Sequence, residues 1–377
     1  MKKDRQFLRA VLGVPFVPPG RMTRAATRAR SWLLSIHRRA APPPVRVLEG
    51  LFGLFDNRVL SVLIELEIPD LLQAPATADE LAAMTHSQVE PLRRVLDFAV
   101  ARGFIARDRT GRYQANAVSD VLRRDHPNTW RGWVEFAGSK WFWDSWVHAK
   151  DAVETGGRSG INAATGHDFF DYVNQIDPSA GAAFNSAMEA GATLQAVALG
   201  HGLKWTQVGS VCDVGGGTGA ALELLLQAHP HLSGTLFDLP DVVAHARPGL
   251  SSGVLAGRCK VVGGDFFDSV PTGADRYLML AIIHDWDDDE AARILHNVGE
   301  ALIGEESRAV VIENVLQEKP RDEFVTASDL LMLVLGSGRE RTQKQFERLF
   351  ELSGLELKHT SILGSGFTAF ELCRPRS

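Results

Sequence analysis

Five short apolar runs in the C-terminal half of the chain, at 208–212, 235–237, 259–262, 277–283 and 309–312, are each followed closely by a titratable side chain. Those side chains are Asp213, Asp238, Asp265, His284 and Glu313. The first begins the segment Asp213-Val-Gly-Gly-Gly-Thr-Gly219, which precedes a helical pattern over 218–228. Glycines let the backbone turn tightly and approach a ligand, and a helix N-terminus presents free N–H groups, so a nucleotide-like ligand is implied. Asp238 follows about 20 residues on, where a carboxylate suits the two hydroxyls of a ribose. Gly215, Gly217 and Ala220 also satisfy the G-x-G-x-x-G/A dinucleotide fingerprint, so nicotinamide and adenosine-type ligands both remain open. His284 is the one group here that titrates near neutrality, which suits proton transfer. Taken singly, acids after strands are often only caps and turn formers, but five including a histidine are harder to dismiss.

Apolar runs alternating with helices predict a parallel sheet wound on both faces, and its ligand crevice lies outside the carboxyl ends of the strands. The five groups should therefore share one cleft. A helix is expected over 287–303, with Asp287 and Glu290 as a capping box, and another from Thr342 to Leu352 with a Thr342/Gln345 box. Segments 355–362 and 367–373 should add an antiparallel edge. Asp285, Asp287 and Asp288 could in principle hold magnesium, but the capping role accounts for Asp287, and no metal site is expected.

Before this sheet the pattern is helical. Leu51, Leu54, Phe55, Val59, Val62, Leu63 and Leu66 recur at helical spacing and predict a core helix. Thr77/Glu80 and Ser87/Glu90 fit capping boxes, with Pro91 in the first turn and Gly103 as a left-handed stop. Segments 104–106 and 113–115 around a turn complete a winged-helix order. That fold often binds DNA, but Glu90 and Asp97 offset Arg93, Arg94 and Arg102, so packing or dimerisation is favoured. Five tryptophans between Trp130 and Trp146 read as core or interface.

The 377 residues are 45% hydrophobic and 23% charged, enough for two cores. Residues 1–46 hold 11 Lys or Arg and one acid, a balance of +10, which leaves 29 bases and 45 acids thereafter. An acidic body disfavours a nucleic-acid enzyme. The basic arm, with prolines at 15, 18, 19 and 42–44 around Trp32, Leu33, Leu34 and Ile36, reads as an extension with one solvated helix rather than a membrane contact. Three cysteines without a CxxC pair, and no membrane-length apolar run, point to the cytoplasm. The expected domains are the extension 1–45, a helical region 46–200 and an α/β region 201–377.

The glycine segment, Phe237-Asp-Leu-Pro240, Gly264-Asp-Phe-Phe267, His284-Asp-Trp286 and Gly338-Arg-Glu-Arg-Thr342 together resemble the S-adenosylmethionine-dependent O-methyltransferases of the caffeic acid and polyketide-tailoring type, from about Pro42 onward. The resemblance implies a Rossmann-like class I methyltransferase domain behind a winged-helix dimerisation domain, hence a homodimer. By position it implies that Asp213, Gly215 and Gly217 hold the methionine part of the cofactor. Asp238 would bind the ribose, Leu239 would pack on adenine, and Asp265 and Phe266 would flank it. His284 would be the general base, steadied by Glu313 and Glu340, acting on a hydroxyl of an aromatic small molecule. Phe184, Met188 and Met332 would line the acceptor pocket. The resemblance departs at Leu280, where plant members commonly carry lysine. Two rivals stay open: an NAD(P)-dependent oxidoreductase and a winged-helix regulator that senses a metabolite.

Overall fold

Seven strands build the main sheet of the protein, a computed structural model that describes residues 17–156, 159–319 and 322–375. They are β1 (Ser210–Val214), β2 (Ser233–Asp238), β3 (Cys259–Gly263), β4 (Arg276–Leu280), β5 (Arg308–Glu313), β6 (Glu356–Ile362) and β7 (Thr368–Cys373). Their order across the sheet is β6-β7-β5-β4-β1-β2-β3. The first five run parallel, while β7 pairs antiparallel with β5 and β6 antiparallel with β7, as the late segments predicted. Alternate residues of each strand face opposite layers. Cys212, Tyr277, Met279, Val311 and Phe370 pack with the helices Asp288–Ala301 and Gln343–Leu352. Val211, Leu236, Leu278, Val310 and Ile312 pack with Ala220–Ala228 and residues 198–208. The sheet reverses direction of winding between β1 and β4, and a crevice opens at such a switch point.

The expected strand over 277–283 stops early. β4 ends at Leu280 because Ala281 takes φ +53°, a left-handed conformation unusual for a residue with a Cβ. A short 3-10 turn, Ile283–Asp285, follows. The Asp287/Glu290 and Thr342/Gln345 capping boxes both form.

The chain divides into two units. One contains described residues from 17–34, 144–178 and 191–375, and the other 35–143 and 179–190. This differs from the expected boundaries at 45 and 200. Residues 144–178 belong with the sheet-bearing unit because they pack on its helix Glu323–Leu335, where a Cβ at Gly160 would fall 3.1 Å from Val334 Cγ1. Of the expected extension, 1–16 lies outside the described residues. The predicted basic helix is Gly20–Ala40, with Trp32 62% exposed.

In the helical unit, Leu63, Ile68, Leu81, Leu96, Ile105 and Tyr113 form a core beneath the helices Pro43–Glu65, Ala78–Thr85 and Val89–Ala101. Thr77 and Glu80 make their box, and Gly103 stops its helix at φ +73°. The Ser87/Glu90 box does not form. Gln88 is the N-cap, and Ser87 exchanges its hydrogen bonds with Thr85 instead. Ala106–Arg107 and Tyr113–Gln114 pair as the wing. The first of these helices is only half a core helix: Leu63 is buried, but Leu51, Leu54 and Phe55 lie exposed with Leu48 and Phe52. An exposed apolar run of this size marks an interaction face. Of the arginines that might have read DNA, Arg93 pairs with Asp79 and Glu90 and Arg102 with Asp56, while Arg94 is exposed.

Candidate active site

Gly215, Gly217 and Gly219 all take positive φ, so the segment after β1 folds as a tight loop into the helix Ala220–Ala228. At Gly215 an added Cβ would meet Ile282 Cδ1 at 2.7 Å. The glycine loop and the segment leading to His284 therefore touch across the β1/β4 switch point. Asp213 is buried beneath the loop, 2% exposed, and its Oδ2 has no hydrogen-bond partner. Burial, with the nearby Asp238 adding, pushes its pKa up to about 7. An orphaned buried carboxylate oxygen is a costly feature, relieved by a cationic or hydrogen-donating ligand.

Asp238 ends β2 and is held rigidly. Its Oδ2 accepts from the Gly217 N–H at 2.8 Å and its Oδ1 from the Leu239 N–H at 2.7 Å, leaving each oxygen a further lone pair for a diol. Burial pushes its pKa up, against the pull of those two N–H groups. Leu239 is exposed beside it. Asp265 is exposed and its Oδ1 accepts from the Phe267 N–H. Phe266 and Phe267 meet the Trp286 ring edge-on at 5.8 and 4.7 Å, and Phe170 stacks on the same indole at 5.5 Å and 19°. No local pattern joins Phe170 to this group, since it lies over a hundred residues earlier in the chain.

His284 stands in the 3-10 turn beyond β4, its side chain 13% exposed. Nδ1 lies 3.1 Å from Glu340 Oε1, while Nε2 lies 3.5 Å from Asp285 Oδ1, long for a hydrogen bond. With a carboxylate on Nδ1, the neutral ring keeps its proton there and leaves Nε2 as the acceptor. Glu313 plays a different part. Its Oε1 accepts from the backbone N–H groups of Ile282, Ile283 and His284 at 3.1, 2.7 and 3.2 Å, and its Oε2, 3.8 Å from Nδ1, is buried without a hydrogen bond. One glutamate thus orients the ring and the other holds its backbone. Ser328 and Asn314 donate to Glu340 Oε1 at 2.6 and 3.4 Å.

Burial disfavours a charged His284 ring, but Glu313, Asp285 and Glu340 outweigh it and push the pKa up to about 10. Burial also pushes Glu313 up to about 7 and Asp285 to about 6. These groups share protons and titrate as one cluster. The raised pKa makes the neutral ring a stronger base than a free imidazole. One ligand atom from each of His284, Glu313 and Glu340 also lies within 4.8 Å of the others.

Of the expected site residues, Asp213, Gly215, Gly217, Asp238, His284, Glu313 and Glu340 gather at the carboxyl ends of β1, β2, β4 and β5, and Asp265 and Phe266 follow β3. Met332 is half-buried on the helix Glu323–Leu335. Phe184 and Met188, also half-buried, belong to the helical unit, where Phe184 packs on Phe136 at 6.1 Å. Asp285 and Arg341 are additions. Both sat inside motifs already singled out, but only the fold brings Arg341 against the histidine turn.

Residues 146–356 match an O-methyltransferase domain and residues 48–125 an O-methyltransferase dimerisation domain. The mitomycin biosynthesis 6-O-methyltransferase of Streptomyces lavendulae is 35% identical over 84% of this chain and 90% of its own. The structure of the mitomycin 7-O-methyltransferase superposes with a TM-score of 0.80 at 34% identity, covering 90% of this chain and all of that one. An O-methyltransferase from neocarzinostatin biosynthesis, solved with S-adenosylmethionine and 2-hydroxy-5-methyl naphthoic acid, superposes at 0.70 with 30% identity, over 85% of this chain and 96% of its own. No helix among the described residues is long and apolar enough to cross a membrane. The matched domains and the extent of these likenesses make the chain a member of the O-methyltransferase family, with the dimerisation domain that accompanies it.

Proposed function

We propose that the protein transfers a methyl group from S-adenosylmethionine to a hydroxyl of a phenolic or polyketide-like small molecule, with His284 as general base. The observation that carries this reading is the pairing of a ligand-ready glycine loop with a carboxylate-backed histidine across one switch point. Asp213 and the loop N–H groups would hold the amino-acid end of the cofactor, and Asp238 its ribose. Leu239, Asp265 and Phe266 would border its adenine. The cofactor supplies a methyl carbon on a sulfonium, open to in-line displacement. His284 Nε2 takes the hydroxyl proton as the acceptor oxygen becomes a nucleophile. A neutral phenol has a pKa near 10, so a base pushed to about 10 makes that transfer nearly isoenergetic. Glu340 keeps Nδ1 protonated and stabilises the imidazolium. For Phe184, Met188 and Met332 as acceptor-pocket residues, the support is the resemblance in sequence.

Calorimetric titration tests the cofactor directly. S-adenosylmethionine is expected to bind, NADH and NADPH are not, and the reverse result would remove the proposal. Methyl transfer is expected to survive chelation, because the His284 cluster works with protons. A screen of hydroxylated naphthoates, phenazines and quinols by mass spectrometry then identifies the acceptor.

The protein works as a homodimer in the cytoplasm on this reading, without a nucleic-acid partner. Support comes from the dimerisation-domain match, the exposed apolar residues 48–55, and three cysteines outside any disulfide. Leu51→Glu combined with Phe55→Glu is expected to convert dimer to monomer in light scattering. An unchanged mass would exclude this face.

A further inference from the structure

We propose that Arg341 is a positioning residue for the reaction: its guanidinium fixes the backbone on both sides of His284 and thereby aims the imidazole. The inference rests on His284 acting as the base. Arg341 is fully buried at 0% exposure. Its Nη1 donates to the Ile283 carbonyl at 2.9 Å and its Nη2 to the Trp286 carbonyl at 2.8 Å, the residues that bracket His284 and Asp285. Nε and Nη2 also reach Asp288 Oδ1, at 2.9 and 2.8 Å, a carboxylate that is itself 46% exposed and shared with Arg339.

A buried guanidinium is costly unless every N–H finds a well-placed partner, so where those partners lie shows what it holds. Here two of its three named partners are neutral carbonyls of one short turn. That turn needs an external frame. It follows the left-handed Ala281, and β4 has already ended. Glu313 Oε1 gathers three N–H groups from one side of the turn, and Arg341 takes two carbonyls from the other. The segment carrying Arg341 is also seated directly on the turn, since a Cβ at Gly338 would fall 2.1 Å from the His284 carbonyl oxygen. It is fastened to the β5 end by the pairing of Val315 with Arg341 and Leu316 with Thr342. Glu340 therefore sets the ring and its neighbour Arg341 sets the main chain beneath it. Lysine cannot replace this, because a point charge lacks the planar fork that spans two carbonyls.

The test uses histidine-selective 15N labelling of the full chain, with the His284 ring signals assigned by their loss in His284→Gln. In Arg341→Lys and Arg341→Gln, S-adenosylhomocysteine is expected to bind within about threefold of the wild type. The His284 titration is expected to fall by about one pH unit or more as the ring leaves Glu340. A variant that binds S-adenosylhomocysteine normally with an unmoved His284 titration overturns the proposal. Should both variants fail to fold, Asp288→Asn decides. It loosens the grip of Asp288 on Nε and Nη2 without deleting the guanidinium, so a fallen His284 titration supports the proposal and an unmoved one overturns it. These signals need no acceptor, so the result stands apart from whether His284→Gln loses turnover.

Discussion

His284→Gln is expected to lower kcat by about a hundredfold to ten-thousandfold, while S-adenosylhomocysteine affinity stays within about threefold of the wild type. The first number is what general-base catalysis contributes, and the second follows from structure. The ring is bound to Glu340, whereas the groups assigned to the cofactor are Asp213, Asp238 and the glycine loop. Glutamine fills similar space and can still donate to Glu340, so the pocket should not collapse. A phenol retains some reactivity through its phenolate, and the residual rate should therefore climb with pH. Measured with an acceptor from the screen, a kcat within tenfold of the wild type would exclude His284 as the base.

The pH profile carries a second, separable expectation. Because the folded pKa of His284 is raised, its neutral form gains with pH, and kcat/KM should rise across pH 7 to 9 rather than peak near 7. Glu313→Gln keeps an oxygen for the three backbone N–H groups but removes the carboxylate charge that does most to raise the histidine. The rising limb should then move toward acid by about one unit. An unmoved limb would mean that the profile reports the acceptor alone. For stability the sign runs the other way: the raised histidine contributes most below its unfolded pKa, near 6.5, and that contribution is lost as pH climbs toward about 10.

Much of this site was legible because its parts are local. Each strand carries its chemistry at its own carboxyl end, so Asp213, Asp238, Asp265, His284 and Glu313 could be paired with a cleft from periodicity alone. What stayed hidden depends on contacts between distant segments. Glu313 serves the backbone more than the ring, which only the β4–β5 pairing reveals. Ala281 carries no glycine signature for its positive φ, so the apolar run read as unbroken strand. Arg341 looked like one more polar residue in a motif, since burial of a charge cannot be read from its neighbours in sequence. Leu51 and Phe55 show the opposite failure: helical periodicity found their stripe but not whether it faces a core or another surface.

Asp213→Asn is expected to separate stability from function, raising the melting temperature of the ligand-free protein at pH 8 while weakening S-adenosylmethionine about tenfold to a hundredfold. The wild-type carboxyl has an orphaned oxygen and is pushed by burial from 3.8 up to about 7. A raised carboxylate gives its full stability below the unfolded pKa and loses it as pH rises through the folded one, here between about 4 and 7. At pH 8 the protein therefore holds a buried charge at a cost whose ceiling is about 4 kcal/mol, reduced by any relaxation of the loop. The amide removes that cost at nearly the same volume. The charge is tolerated because the proposed ligand is cationic at its amino group and sulfur, and binding should draw a proton off Asp213. Titrations at pH 6 and pH 8 should accordingly show tighter binding at the higher pH in the wild type and little difference in the variant. If Asp213→Asn instead melts lower at pH 8 and binds as well as the wild type, the buried carboxylate is structural, and the methionine end of the cofactor must be held by other groups.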